Sequence, residues 1–348
     1  MKKVLALILA LTMVIGASVA LAADYEIVSK GFQHQYWQAV LKGAEEKAAE
    51  LGVTINFVGP ANESAYEEQL GQLNSAINAG PKAIGLAALS TETCLDAIAD
   101  AQSKGIPIIG FDSGVPGAPE GAILANAATN NYNAGALAAE ETWKVIKDRV
   151  AAADGAVRIG ISAQDAVSDS VVSRGLGFID KIGELAGAEG YSLKLEGNER
   201  YINDAKVESK DDAKIIIETL VPAQVTAELS AIDCQNLLNK TDLIALYGSN
   251  QHSAEAMVTA NENLQKLGTG EGQIIGVGFD SGVVIKAAVK DGVFLGAVTQ
   301  APVAMGAALV DLLVKAAAGE AVADVDTGCQ WYTAENMDSE EIAQNLYD

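Results

Sequence analysis

Apolar and polar residues in this chain follow two alternating rhythms: short unbroken apolar runs, and longer stretches with apolar positions every three or four residues. Tyr25 to Ser29 is the first run and reads as a strand. Tyr36 to Leu51 follows with helical spacing through Val40, Ala44, Ala48 and Leu51, and Gly52 stops it. The alternation continues through a strand Val53 to Val58, a helix Glu63 to Ala79 closed by Gly80-Pro81, and a strand Lys82 to Ala88. A helix Thr91 to Lys104, stopped by Gly105, then leads into a strand Ile106 to Phe111. Short loops between such elements predict a parallel sheet with helices on both faces.

A second series begins after a helix over Asn133 to Val150. Strands are predicted at Ala156 to Ser162, Tyr191 to Glu196, Ala213 to Thr219, Leu243 to Gly248, Gln273 to Phe279 and Phe294 to Thr299. The helices between and after them run from about Ser170 to Leu185, from Pro222 to Leu238, over Ser253 to Leu267, Val283 to Lys290 and Val303 to Ala318. The polar stretch Asn203 to Asp212 reads as an exposed loop or hairpin tip. The first series lacks a fifth strand and a last helix, which Phe294 to Thr299 and the helix after it would supply if the chain crosses back. Crossings are expected near Thr129-Asn130, at Gln300-Ala301 and around Asp326 to Cys329. The expected architecture is α/β: two similar Rossmann-like lobes joined by a three-segment hinge, the form that closes over ligands. The first lobe would hold residues 23–129 and about 301–327, the second 130–300 and about 328–348.

The string Gly-Phe-Asp-Ser-Gly-Val occurs at 110–115 and again at 278–283, each time just past a predicted strand. Ligands of open parallel sheets meet the loops at the carboxyl ends of the strands. Two lobes with the same Asp-tipped loop therefore point to one small, hydroxyl-rich molecule between them.

Residues 1–22 read as a secretory leader, with Lys2 and Lys3, an apolar Val4 to Ile15 and the small-residue site Ala20-Leu21-Ala22. Removing them leaves 348 − 22 = 326 residues, with a net charge of 21 − 46 = −25 against −23 for the whole chain. A balance this acidic disfavours nucleic acid and anionic membrane as partners and leaves a soluble, extracytoplasmic protein as the expectation. The three cysteines, Cys94, Cys234 and Cys329, include no Cys-x-x-Cys pair, so zinc is unsupported while a single bridge stays open. No Gly-x-Ser-x-Gly elbow, Walker A loop or His-Glu-x-x-His motif is present. Gly276 to Ser281 approaches a dinucleotide fingerprint, but Ser281 stands where its third glycine belongs. No enzyme activity and no cofactor are expected.

The chain resembles the periplasmic sugar-binding proteins of the ribose-binding type, which serve ABC transporters. The resemblance rests on Ser29 to Trp37 leading into Gly43-Ala44, on Gly105 to Asp112, and on Ala128 to Asn131 with Gly135. Arg174-Gly175-Leu176-Gly177-Phe178, Gly278-Phe279-Asp280 and Val298-Thr299-Gln300 complete it. It implies the type I fold of that class, no turnover, a neutral sugar or polyol as ligand, and docking of a closed monomer on a membrane permease. The same fold in cytoplasmic repressors carries a DNA-binding head, where this chain has its leader.

From the resemblance, Asp112 and Asp280 are ligand contacts, as charged acceptors suit sugar hydroxyls; the competing reading has each cap its own turn. Arg174 offers a fork of donors to adjacent hydroxyls, and Asn250 and Gln300 match amide ligands. Tyr36 and Trp37 match an aromatic pair that stacks on the sugar's apolar face, with Phe32 beside them, and core packing is the alternative for all three. His34 and His252, the only histidines, fall one in each lobe; a hydrogen bond to ligand or loop is the better reading of them than a bridging metal. Ribose-type proteins have Arg after the first aspartate, where this chain has Ser113, and Lys30 is the available replacement cation. Ribose, another pentose, a hexose, an inositol and autoinducer-2 thus remain open as ligands, as do transport and sensing as roles.

Overall fold

Every residue of Tyr25–Val28 (β1), Ala83–Leu86 (β3) and Ile108–Phe111 (β4) is buried, as parallel strands covered on both faces require. The computed structural model describes residues 23–32 and 34–348, so the expected leader lies outside the described residues. With Ile55–Val58 (β2), Ile123–Ala128 (β5) and Val325–Asp326 (β12) these strands form an all-parallel sheet in the order β12-β5-β4-β3-β1-β2. The second sheet takes Val157–Ser162 (β6), Leu193–Gly197 (β7), Ile215–Leu220 (β8), Leu243–Gly248 (β9), Ile275–Phe279 (β10), Phe294–Gln300 (β11) and Cys329–Tyr332 (β13). Its order is β13-β11-β10-β9-β6-β8-β7, parallel throughout except for β13, which runs antiparallel to β11.

Two sequence expectations need correction. The fifth strand of the first sheet is Ile123–Ala128, not Phe294 to Thr299, which stays in the second sheet. Ile-Leu-Ala-Asn-Ala-Ala is rich in small residues and only alternately buried, so its apolar signal is weak. Glu199–Asp204 is a short helix, capped by Asn198 and anchored by Tyr201, which is 1% exposed; the polar stretch begins inside it. All three cysteines are free, with Cys94 and Cys234 buried and Cys329 partly so.

The chain passes between the sheets three times, at 128–131, 300–302 and 326–329. These segments run side by side: Thr327 donates to the Ala128 carbonyl at 3.0 Å, Thr129 Oγ1 to the Gly328 carbonyl at 3.1 Å, and Gln300 pairs with Cys329. The first two passages each deliver a helix to the far lobe, and the third delivers β13 to the edge of the second sheet. Gln35–Leu51 (α1), with the first sheet, packs against Pro302–Ala317, which arrives after β11. Asn131–Ala152, arriving after β5, packs in the same way against Asp169–Ala188 of the second lobe.

Both helix pairs meet backbone to backbone. A Cβ on Gly43 would lie 1.9 Å from the Val303 carbonyl oxygen, and one on Gly135 would lie 2.0 Å from that of Arg174. Overpacking of this kind costs about 1–3 kcal/mol, which outweighs the roughly 1 kcal/mol a helix gains on Gly→Ala. Gly135→Ala should therefore lower the thermal midpoint by several degrees. Gly71→Ala, on Tyr66–Ala79 with nothing within 4 Å of the new methyl, should leave it unchanged or raise it. Equal shifts in the two variants would show that the helices do not meet this closely.

Candidate ligand-binding site

Among the described non-glycine residues only Asp112, Gln265 and Asp280 have positive φ, at 58°, 51° and 72°. Both repeated aspartates therefore leave their strands in the left-handed region, which Asp tolerates better than most residues. The two amides also make equivalent bonds to the neighbouring strand: Asp112 N–H to the Ala127 carbonyl at 3.1 Å, Asp280 N–H to the Val298 carbonyl at 2.7 Å. The repeat is thus one piece of backbone geometry used twice, and it turns both carboxylates inward, each residue being 4% exposed.

The two carboxylates line one cavity from opposite sides, with Lys30, His34, Tyr36, Trp37, Arg174, Asn250 and Gln300. Lys30 Nζ lies 2.9 Å from Asp112 Oδ2, and the Tyr36 hydroxyl donates to Asp112 Oδ1 at 2.8 Å. Around Asp280, Gln300 Nε2 donates to Oδ1 at 2.7 Å, the Gln251 N–H donates to Oδ2 at 3.0 Å, and Arg174 Nη1 stands 3.9 Å from Oδ2. Arg174 is held by a bond from Nε to Asn131 Oδ1 (2.8 Å) and by the Phe279 ring, 4.1 Å below its guanidinium. Burial pushes the Asp280 carboxyl up, while Arg174, Gln300 and the Gln251 N–H pull it back. Burial and both aspartates push the Tyr36 phenol far up, so it stays a neutral donor.

The lobes meet closely around this cavity, which holds about 30 Å³, room for about two waters. Lys30 Nζ donates to Ser170 Oγ at 2.9 Å, Gln251 Nε2 to Gln35 Oε1 at 2.8 Å, and Ser170 N–H to Ser113 Oγ at 3.3 Å. Two buried acceptors of cavity residues, Gln251 Oε1 and Gln300 Oε1, have no hydrogen-bond partner among the described residues.

Two expected residues lie outside the lining. Phe32 packs on Phe57, with ring centroids 5.7 Å apart, because its loop folds back onto the first lobe's core. Ser113 points across the cleft at Ser170 instead of into the cavity. Tyr36 and Trp37 do line the cavity, and they also pack edge-on against each other at 5.0 Å.

Glu63 was missed: the sequence reading placed it at a helix start, but the helix begins at Tyr66 and Glu63 sits in the loop after β2. Its carboxylate is buried in the cavity wall, accepting from Trp37 Nε1 at 2.7 Å and from Gln164 Nε2, of the other lobe, at 2.9 Å. Burial pushes it up, but His34, Lys30 and the two donors outweigh burial and hold it below the usual range. Gln164, Ser170 and Gln251 were missed too. Gln164 and Glu63 both follow strand ends, so the rule that found the aspartates, applied to every strand, would have found them.

His34 and His252 face each other across the cleft, ring centroids 6.0 Å apart, and His252 Nε2 lies 2.8 Å from Ser230 Oγ. Among the described residues no group of three or more His, Cys, Asp or Glu side chains is placed to hold a metal ion.

Residues 25–321 match the family described as the periplasmic binding protein domain. A D-allose-binding periplasmic protein of Escherichia coli is 25% identical over 311 residues, which is 87% of this chain and 88% of that protein. A solved Brachyspira murdochii structure, titled ABC transporter, LacI family transcriptional regulator, is 34% identical with a TM-score of 0.79, covering 94% of this chain and 99% of that one. An Agrobacterium vitis ABC transporter solute-binding protein with bound D-fucose is 27% identical with a TM-score of 0.76, covering 93% and 99%.

Burial, with His34 nearby, pushes His252 down to about 4. An unfolded chain takes up a proton at His252 near pH 6.5, whereas the folded one resists until about pH 4. Folding stability at this position is therefore full above pH 6.5 and falls as the pH drops toward 4, by at most on the order of 3 kcal/mol. Urea unfolding of wild type and His252→Gln across that window should show the wild type's advantage shrinking with acid. A constant difference would mean that His252 titrates normally in the fold.

Proposed function

The chain belongs to the periplasmic binding protein family, and we propose that it captures one neutral monosaccharide or cyclic polyol between its lobes and delivers it to an ABC transporter permease. The observation that carries the reading is the pair of strand-end aspartates, same in sequence and in left-handed backbone, aimed at one cavity from both sides. A sugar ring presents hydroxyl donors in several directions and C–H faces between them. Asp112, Asp280 and the unpartnered Gln251 and Gln300 oxygens would accept from the hydroxyls. Lys30, Arg174 and Asn250 would donate, and Tyr36 and Trp37 would cover an apolar face. Three buried carboxylates against two obligate cations leave an anionic sugar disfavoured. Relatives described as binding D-allose and D-fucose support the same ligand class.

A ligand pocket is ordinarily 300–1,000 Å³, so a ring enters by parting the lobes about the three-segment hinge. The lobes in this reading are residues 23–129 with 301–327 and 130–300 with 328–348. The leader over 1–22 would export the protein, which would act as a monomer outside the cytoplasmic membrane. Docking on the permease follows closure.

A thermal-shift panel of D-allose, D-fucose, D-arabinose, D-tagatose, D-ribose and myo-inositol tests the ligand class. At a hundred times its Kd a true ligand stabilises by about 2.7 kcal/mol, which raises the midpoint by several degrees. Stabilisation by an amino acid or nucleotide and by none of these would overturn the reading. Asp112→Asn and Asp280→Asn should each weaken the stabilising sugar roughly tenfold or more in titration calorimetry; unchanged affinity in both would make the repeated loops purely structural.

A further inference from the structure

The two copies of the repeated loop are held in different ways. At the second, Ser281 N–H donates to the Tyr347 hydroxyl at 3.2 Å, Tyr347 N–H to Ser281 Oγ at 3.0 Å, and Gly282 N–H to the Tyr347 carbonyl at 3.0 Å. The same segment is pinned beside Gln300, since Thr299 Oγ1 donates to the Asn345 carbonyl at 3.0 Å. The Asp280 carbonyl accepts from the Tyr332 hydroxyl at 2.9 Å. The Tyr347 ring reaches on to Tyr36, centroids 6.0 Å apart, and Tyr36 is the donor to Asp112. At the first copy the corresponding serine, Ser113, is instead bonded by Ser170 of the opposite lobe.

We infer that Tyr347 is a positioning residue for ligand capture: it fixes the Asp280-Ser281-Gly282 turn, and with it the Asp280 carboxylate, inside the second lobe before the lobes meet. Asp280 and Gly282, with φ of 72° and 96°, lie outside the ordinary helical and strand basins and would otherwise need only small forces to relax. A left-handed non-glycine residue is strained and persists only where its surroundings hold it. Tyr347 supplies that hold through its bonds to Ser281 and Gly282. In the first loop the Ser113 side chain takes its partner, Ser170, from across the cleft. The second lobe thus presents a formed half-site, and the first lobe's half is completed as the cleft shuts. This role presupposes the sugar-binding reading above, but the hold on the turn does not.

The test uses the full chain with Tyr347→Ala and Tyr347→Phe, in two arms. In the first, without sugar, hydrogen exchange of the Ser281 and Gly282 amides should be slow in wild type and at least tenfold faster in Tyr347→Ala. In the second, D-allose and D-fucose are titrated at 10 °C, where both variants are checked for native circular dichroism. Tyr347→Ala should weaken the sugar that binds wild type at least tenfold, and Tyr347→Phe, which loses only the hydroxyl, should stay within about threefold. A lowered melting temperature with wild-type affinity in Tyr347→Ala would reduce Tyr347 to a packing role and overturn the inference. If neither sugar binds wild type, the affinity arm is run with the panel compound that does, and the exchange arm decides in either case: amides as fast in wild type as in Tyr347→Ala overturn the hold on the turn.

Discussion

A carboxylate shut away from water must find charge or hydrogen-bond donors inside the protein, and the rest of this structure is arranged around two that do. Asp112 and Asp280 are each 4% exposed, and removing the partner of such a buried charge costs several kcal/mol. Lys30 with Tyr36 compensates the first, and Arg174 with Gln300 and the Gln251 amide compensates the second. Each set comes mostly from its own lobe, yet Lys30 also reaches Ser170 and Asn131 links Asp112 to Arg174. Closure and charge compensation are therefore coupled. A ligand that supplies hydroxyl donors enters a site already organised to hold negative charge.

The helix pairs transmit that constraint to the fold. Arg174 lies on the helix whose backbone touches Gly135, so the residue that faces Asp280 is set by a contact between the helix delivered across the hinge and the lobe that receives it. The matching contact of Gly43 with the helix after β11 positions α1, whose first turn carries Tyr36 and Trp37. The hinge segments are bonded to one another at Ala128, Thr129 and Gln300.

The alternation of apolar runs and helical spacing made the two-sheet architecture legible, because buried parallel strands read as unbroken hydrophobic runs. Asp112 and Asp280 were legible because duplication fixed both residue and context, and Arg174, Asn250 and Gln300 because they match ligand positions of the family that the chain resembles. What stayed hidden has physical reasons. Ile123–Ala128 is too rich in alanine to announce a strand. Phe32 differs from Tyr36 and Trp37 only in which way a loop folds, which spacing does not encode. Glu63 looked like an ordinary acidic residue opening a helix, and only tertiary placement shows it buried between Trp37 and Gln164. Ser113, where the ribose pattern fails, proved to be a contact between lobes.

On the proposed function, Asp112 and Asp280 hold one neutral polyhydroxy ligand from both sides. Native mass spectrometry of the protein equilibrated with an equimolar mixture of monosaccharides, inositols, amino acids and nucleotides tests it most directly. A one-to-one adduct with the mass of a monosaccharide or cyclic polyol is expected, absent from the Asp112→Asn, Asp280→Asn double variant. An amino acid or nucleotide adduct, or a sugar adduct that survives in the double variant, would contradict it.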